Sequence, residues 1–361
     1  MADEIYQKLA RVLDTLPNGF PATESGVEIK LLKRIFTPEQ AELFCDLRLT
    51  FETAQQVAER TGRPLAELDR QLKDMGKAGQ LFVIDFGEVM VFRMLPWVFG
   101  IYEFQLDKLD KEYAQLNEEY APFFGQQFFS QTPQLMRTLP VEQEISGQQE
   151  VISYERVSDV IDSNQSFLVN DCVCKKEKGL LGYPCDRPVQ VCLAMAPVAG
   201  VFDKYPTGRL ITKQEAHDLM KMAEEAGLVH LTYNVQGGGF YICNCCKCCC
   251  GVLRSINELG IPASLVINSS YYAEIDAEKC SSCGICSDER CQVGAIEEEP
   301  DTYRIIKDRC IGCGLCISTC PSEAIRLVHK GADQIAQPPV NEDAWFEERG
   351  RMRGIDFSRY K

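Results

Sequence analysis

Cys280-Ser-Ser-Cys283-Gly-Ile-Cys286-Ser-Asp-Glu-Arg-Cys291 and Cys310-Ile-Gly-Cys313-Gly-Leu-Cys316-Ile-Ser-Thr-Cys320-Pro321 place eight cysteines in two quartets. Three thiolates spaced two residues apart can wrap one face of an iron–sulfur cubane, while a fourth, displaced along the chain, reaches the neighbouring cluster. The spacing therefore assigns Cys280, Cys283, Cys286 and Cys320 to one [4Fe–4S] cluster, and Cys310, Cys313, Cys316 and Cys291 to the other. Matching tails, Cys291-Gln-Val-Gly-Ala-Ile296 and Cys320-Pro-Ser-Glu-Ala-Ile325, mark an internal duplication. The alternative is a pair of zinc sites, which more often pair two short Cys hairpins than repeat a three-plus-one spacing.

Residues 270–330 resemble the bacterial dicluster ferredoxins. The resemblance implies two pseudosymmetric halves of short strands and a helix around a small apolar core. Gly284, Gly312 and Gly314 suit that picture, because a backbone without Cβ can approach a cluster and point N–H groups at its sulfurs. One departure stands out. The first quartet has four residues before Cys291 where three are usual, and Gln292 stands where proline is common. The two clusters should therefore be differently hydrogen-bonded and unequal in potential.

The chain has 361 residues, 19 cysteines and a formal charge of −15. The length allows two or three domains. Cysteines in ligand spacings within a large chain argue for metal rather than disulfides, hence a reducing cytoplasm and an anaerobic host. The start, Met-Ala-Asp-Glu-Ile-Tyr-Gln-Lys, does not resemble a signal peptide, and no apolar run is long enough to span a bilayer. An acidic chain repels a phosphate backbone, so no nucleic acid is expected as a main ligand. The same charge suits docking on a basic redox partner, and Glu297, Glu298, Glu299 and Asp301 form an acidic run between the quartets; a solvated turn explains that run equally well.

The N-terminal residues read as an amphipathic helix, a turn at 16–19 and a second helix over 27–35. Thr37-Pro-Glu-Gln40 is a capping-box start. Helices follow at 53–60 and from Pro64, then strands at 81–84 and 89–92. This order resembles a winged helix. Its third helix carries Arg63, Arg70 and Lys73 against Glu67, Asp69 and Asp74, so an interaction or scaffold role is favoured over DNA binding. Residues 96–140 are aromatic-rich, and the spacing over 99–120 predicts one long helix packed against the core.

The middle of the chain carries Cys172, Cys174, Cys185 and Cys192, then Cys243, Cys245, Cys246, Cys248, Cys249 and Cys250. A helix at 154–161 and a strand at 166–169 precede them; Thr212 caps a helix to Ala226, and strands at 228–235 and 240–242 flank a break at Gly237-Gly-Gly239. Ten thiols in two short segments exceed what packing needs. A structural zinc would leave six unexplained, so at least one additional [4Fe–4S] cluster is expected, with Cys172, Cys174, Cys185 and Cys192 as the first candidate quartet. Neighbours in an extended chain face opposite sides, so the six-cysteine run should serve two centres or leave thiols free. Lys175, Lys176 and Lys247 would stabilise thiolates or an anion.

The arrangement also resembles large anaerobic 4Fe–4S-binding proteins that join Pro-Ala-Thr-Glu-Ser-Gly, here residues 21–26, to the Cys-x-Cys segment, the cysteine run and a terminal dicluster ferredoxin. The expected architecture is α+β: a winged-helix-like helical domain over 1–140, a cysteine-rich α+β middle domain over 141–269, the dicluster domain over 270–330 and an extension over 331–361. The expected function is relaying single electrons to redox partner proteins, as a carrier or oxidoreductase subunit rather than a stand-alone enzyme, within a homo-oligomer or larger complex. Two alternatives stand beside it: a redox enzyme with a substrate or sulfur-handling site at the middle cysteines, and a redox-sensing winged-helix regulator.

Overall fold

Apolar positions at helical spacing build the first layer. A computed structural model of the chain describes residues 2–141, 155–205, 207–237 and 239–361. Helix α1 (Ala2–Thr15) buries Leu9 and Leu13 in the same core as Leu31 and Leu32 of α2 (Val27–Ile35). The Thr37 hydroxyl accepts from the Gln40 backbone N–H and the Gln40 side chain accepts from the Thr37 N–H, which opens α3 (Pro38–Phe44) with a capping box. After β1 (Glu52–Thr53), Thr53 and Gln56 repeat the device to start α4 (Ala54–Thr61), which ends at left-handed Gly62. Then come α5 (Leu65–Lys77), β2 (Leu81–Asp85) and β3 (Met90–Met94), with the strands in an antiparallel sheet of order β1-β3-β2.

The long helix expected over 99–120 does not form. Residues 97–101 are kinked, with extended backbone at Val98 and Phe99, and a short 3-10 turn spans Glu103–Lys108. The Gly100 N–H is taken by the Glu103 carboxylate at 2.7 Å, and the Asp110 side chain caps a fresh helix, α6 (Lys111–Phe128), by accepting from Tyr113 N–H. Local carboxylate bonds to the backbone thus outcompete helical spacing.

A seven-stranded sheet forms the centre of the described residues, in the order β10-β4-β8-β9-β6-β5-β7. Its pieces enter in chain order: β4 (Met136–Leu139), α7 (Val157–Asp162), β5 (Ser166–Asp171), α8 (Val173–Leu180), β6 (Gln190–Ala196), β7 (Arg209–Leu210), α9 (Lys213–Glu225), β8 (Val229–Tyr233), β9 (Tyr241–Cys245), α10 (Gly251–Asn257), α11 (Ala263–Val266) and β10 (Ile267–Asn268). Tyr154, where the helix was expected to begin, and Gly238 of the glycine break lie outside the described residues, as do 142–154 at the start of the expected middle domain.

Beyond the sheet, β11 (Tyr271–Ile275) pairs antiparallel with β14 (Ile325–His329), and β12 (Ile296–Glu299) with β13 (Thr302–Ile305). This small unit is joined to the body at Val141, whose N–H donates to the Cys313 carbonyl at 3.0 Å. The C-terminal α12 (Glu342–Arg353) returns to the first layer. Trp345 is fully buried and donates to the Gln134 carbonyl at 2.9 Å; the buried Arg349 guanidinium meets the carbonyls of Phe128, Gln131 and Pro133; Arg353 reaches Asp14.

Candidate metal centres

The cysteines expected to be ligands fall into four groups. Cys280, Cys283, Cys286 and Cys320 line one small cavity with Ile275, Tyr303 and Pro321. Burial pushes the Cys286 thiol up to about 11, and Cys283, Cys280 and Cys320 add to that. Cys291 belongs with Cys310, Cys313 and Cys316: burial pushes Cys313 up to about 12, with Cys310 and Cys291 as the neighbouring thiols. Each fourth cysteine thus sits with the other repeat's triplet.

Backbone donors point at these sulfurs. Ala273 N–H lies 3.3 Å from Cys310 Sγ, Ala295 N–H 3.1 Å from Cys291 Sγ, and Ala324 N–H 3.4 Å from Cys320 Sγ. Burial would raise Cys320, yet the bonds from Ser322 and Ala324 carry it below the ordinary thiol range. Such N–H groups favour thiolate over thiol and shift the potential of a bound cluster. Gly312 adopts a left-handed φ of 61°, and a Cβ there would lie 2.3 Å from the Tyr271 carbonyl oxygen. Only glycine fits.

Gln292, the departure from the usual motif, is 1 % exposed. Its side-chain oxygen accepts from Lys247 N–H at 3.0 Å, and its backbone carbonyl accepts from Asn257 Nδ2 at 3.0 Å. Proline would retain the carbonyl but lose the side chain. Gln292 therefore ties the residue after Cys291 to the cysteine run at 243–250.

The ten middle cysteines divide four and six. Cys185, Cys246, Cys248 and Cys249 bring their sulfurs within 4.8 Å of one another. The contacts are 3.8 Å for Cys185–Cys246, 3.5 Å for Cys185–Cys248, 3.3 Å for Cys246–Cys248 and 3.7 Å for Cys248–Cys249. Hydrogen bonding from Cys249 outweighs burial and draws Cys246 down to about 5, whereas burial raises Cys248 to about 11. The expected quartet of Cys172, Cys174, Cys185 and Cys192 is not assembled. Cys185 leaves it because the loop before β6 is held over the 246–249 turn, with Arg187 Nε donating to the Ala226 carbonyl at 3.1 Å.

The other six, Cys172, Cys174, Cys192, Cys243, Cys245 and Cys250, form a continuous set. Strand alternation puts Cys243 and Cys245 on one face of β9, while Asn244 on the other bonds buried His230 at 2.6 Å. Cys192 of β6 adjoins Cys243, one step along the register from Ala194–Tyr241 and Leu193–Ile242. Cys172 precedes α8 and contacts Cys174; Cys174 contacts Cys250, which precedes α10 and lies 3.3 Å from Cys245. Bonds between thiols, then burial, push Cys172, Cys243 and Cys245 well above the ordinary range. Thiols so crowded ionise together only beside a multiply charged cation, which fits a metal–sulfur core.

Of the lysines among the thiols, Lys176 pairs with Asp171 at 3.2 Å, and Lys175 Nζ donates to the Pro188 carbonyl at 2.6 Å while its charge still favours the thiolates of Cys172 and Cys246. Sequence reasoning passed over Tyr102, Asn117 and Glu177. Glu177 follows Cys174 on α8, and its carboxylate accepts from Tyr102 Oη and Asn117 Nδ2, both at 2.7 Å. Only the i, i+3 spacing of Cys174 and Glu177 could have signalled it.

Residues 303–326 match the family model of the 4Fe-4S binding domain. The matched segment contains Cys310, Cys313, Cys316 and Cys320, and it indicates at least one [4Fe–4S] cluster. No solved structure matches the chain. Among the described residues no helix is long and apolar enough to cross a membrane.

Proposed function

We propose that the chain is an iron–sulfur electron-transfer protein or subunit whose C-terminal unit carries two [4Fe–4S] clusters. Cys280, Cys283, Cys286 and Cys320 hold one, and Cys310, Cys313, Cys316 and Cys291 the other. The observation that carries this is the exchange of fourth cysteines, with backbone N–H groups at Cys310, Cys291 and Cys320. When bound, such clusters accept and release single electrons. The Gln292–Lys247 bond supports a path from the second cluster toward the middle cysteines, where at least one further iron–sulfur centre receives or supplies the electrons. The exposed acidic hairpin β12–β13 is the docking face for a basic redox partner.

The N-terminal element order supports a winged-helix-like unit that serves assembly. Arg63 pairs with Asp46, Lys73 with Asp69, and Arg93 on β3 with Glu342 of α12, so three cations of this unit are already matched by carboxylates rather than held for DNA phosphates. A specific shift of duplex DNA at physiological salt would contradict this.

A structural zinc has its own supporting observation at one place. The contacts of 3.3–3.8 Å within Cys185, Cys246, Cys248 and Cys249 lie near the edge of about 3.8 Å of a tetrahedron with Zn–S of about 2.3 Å. This group suits one tetrathiolate ion joining the loop before β6 to the turn after β9.

The test is metal analysis of anaerobically purified protein. Two cubanes require about eight irons per chain, exceeded if the middle cysteines hold iron. Cys283→Ser and Cys313→Ser should each remove a different signal in electron paramagnetic resonance. Zinc without iron at the C-terminal quartets would overturn the proposal.

A further inference from the structure

The six-thiol group forms part of the lining of a cavity of about 1090 Å3. That lies just above the roughly 300–1,000 Å3 of ordinary small-molecule sites. Cys172, Cys174, Cys192 and Cys243 keep accessible surface although they lie between the sheet and the N-terminal helices, and the cavity supplies it. Six thiolates also exceed the four that one cubane takes.

The remaining lining contains the aromatic rings of Trp97, Phe99 and Tyr241, with the Phe99 and Tyr241 ring centroids 4.7 Å apart. Among the described residues the buried Tyr241 hydroxyl has no hydrogen-bond partner, and it stands within electrostatic reach of Cys243 and Cys192. A buried hydroxyl without a partner is expensive, and a ligand would satisfy it. On the lining near the thiols the charges are already engaged: Arg254 by Glu118 and Glu258, Glu177 by Tyr102 and Asn117, Asp171 by Lys176, and buried Glu103 by the Gly100 N–H. Neither an anion nor a cation finds an unengaged partner among these groups.

Resting on the iron–sulfur reading above, we infer that Cys172, Cys174, Cys192, Cys243, Cys245 and Cys250 hold a metal–sulfur centre larger than one cubane. Its cavity side binds a small uncharged molecule that donates a lone pair to iron and accepts a hydrogen bond from Tyr241. The C-terminal unit keeps that centre reduced. This gives the chain a ligand-binding site at the far end of its relay.

The experiment uses the full-length protein, loaded with iron and sulfide under anaerobic conditions and reduced with dithionite, with carbon monoxide as the probe. An infrared band of bound carbon monoxide is expected, and it should vanish in Cys243→Ser/Cys245→Ser together with more than the roughly four irons of one cubane. That variant should keep the paramagnetic signals assigned through Cys283 and Cys313. Tyr241→Phe should retain all iron and shift the band. A band that persists in the double variant, a loss of only about four irons, or an unmoved band in Tyr241→Phe overturns the inference. If the double variant does not fold, the Tyr241→Phe band decides. Failure of the electron-transfer reading would look different, as missing C-terminal signals in the unmodified protein.

Discussion

Gln292→Ala isolates the joint between the C-terminal unit and the cysteine run. The substitution removes the acceptor 3.0 Å from Lys247 N–H and the amide that donates to the Arg290 carbonyl at 3.2 Å. Losing a hydrogen bond to this part-buried N–H costs about 1 kcal/mol, and the Asn257 bond to the backbone carbonyl survives the change. Local opening at 246–250 then becomes about 5-fold more frequent, since about 1.4 kcal/mol is a factor of ten. Hydrogen exchange followed by mass spectrometry reads this directly. Peptides over 246–250 should lose about 0.7 log units of protection while the β1-β3-β2 sheet is unchanged. Equal exchange in both proteins would refute Gln292 as the joint. Uniform loss everywhere would show a general packing defect instead.

Further outcomes follow from other contacts. Arg349→Ala should lower stability by about 3 kcal/mol, because two buried carbonyls and a part-buried one lose their donor, and limited proteolysis should release α12 early. Thr53→Ala should cost about 1 kcal/mol by removing the α4 capping box, read from the unfolding midpoint. Glu103 is raised by burial from 4.5 to about 8, so the folded state binds the extra proton between those values. Its contribution is therefore most favourable below pH 4.5 and is lost as pH rises toward 8. Glu103→Gln should remove that slope and stabilise by about 2 kcal/mol near pH 8, measured by denaturation across pH. X-ray absorption at the zinc edge should find about four sulfurs at about 2.3 Å, a signal lost in Cys248→Ser.

Much of this was readable in advance where the determinants are local. Thr37 with Gln40, Thr53 with Gln56 and Thr212 with Glu215 each close within three residues, and all three helices start where the sequence places them. The three-plus-one spacing also predicts crossed fourth cysteines, and Cys320 does line one cavity with Cys280, Cys283 and Cys286. Residues 97–110 misled because aromatic periodicity says nothing of Glu103 seizing the Gly100 N–H or Asp110 restarting the helix. The grouping of the middle cysteines was hidden for a different reason. Strand parity separates Cys243 and Cys245 from Asn244, but which group Cys185 joins depends on a loop held by Arg187 to Ala226, 39 residues away. Gln292 was visible as an anomaly; its partner Lys247 lies 45 residues earlier and gives no local sign.

The exchange of fourth ligands is tested most directly by pairing serine substitutions and comparing their paramagnetic spectra in the fully loaded, reduced protein. Cys320→Ser should disturb the same cluster signal as Cys283→Ser, and Cys291→Ser the same signal as Cys313→Ser. If Cys320→Ser instead disturbs the signal lost in Cys313→Ser, each quartet holds its own metal and the crossed wiring is wrong.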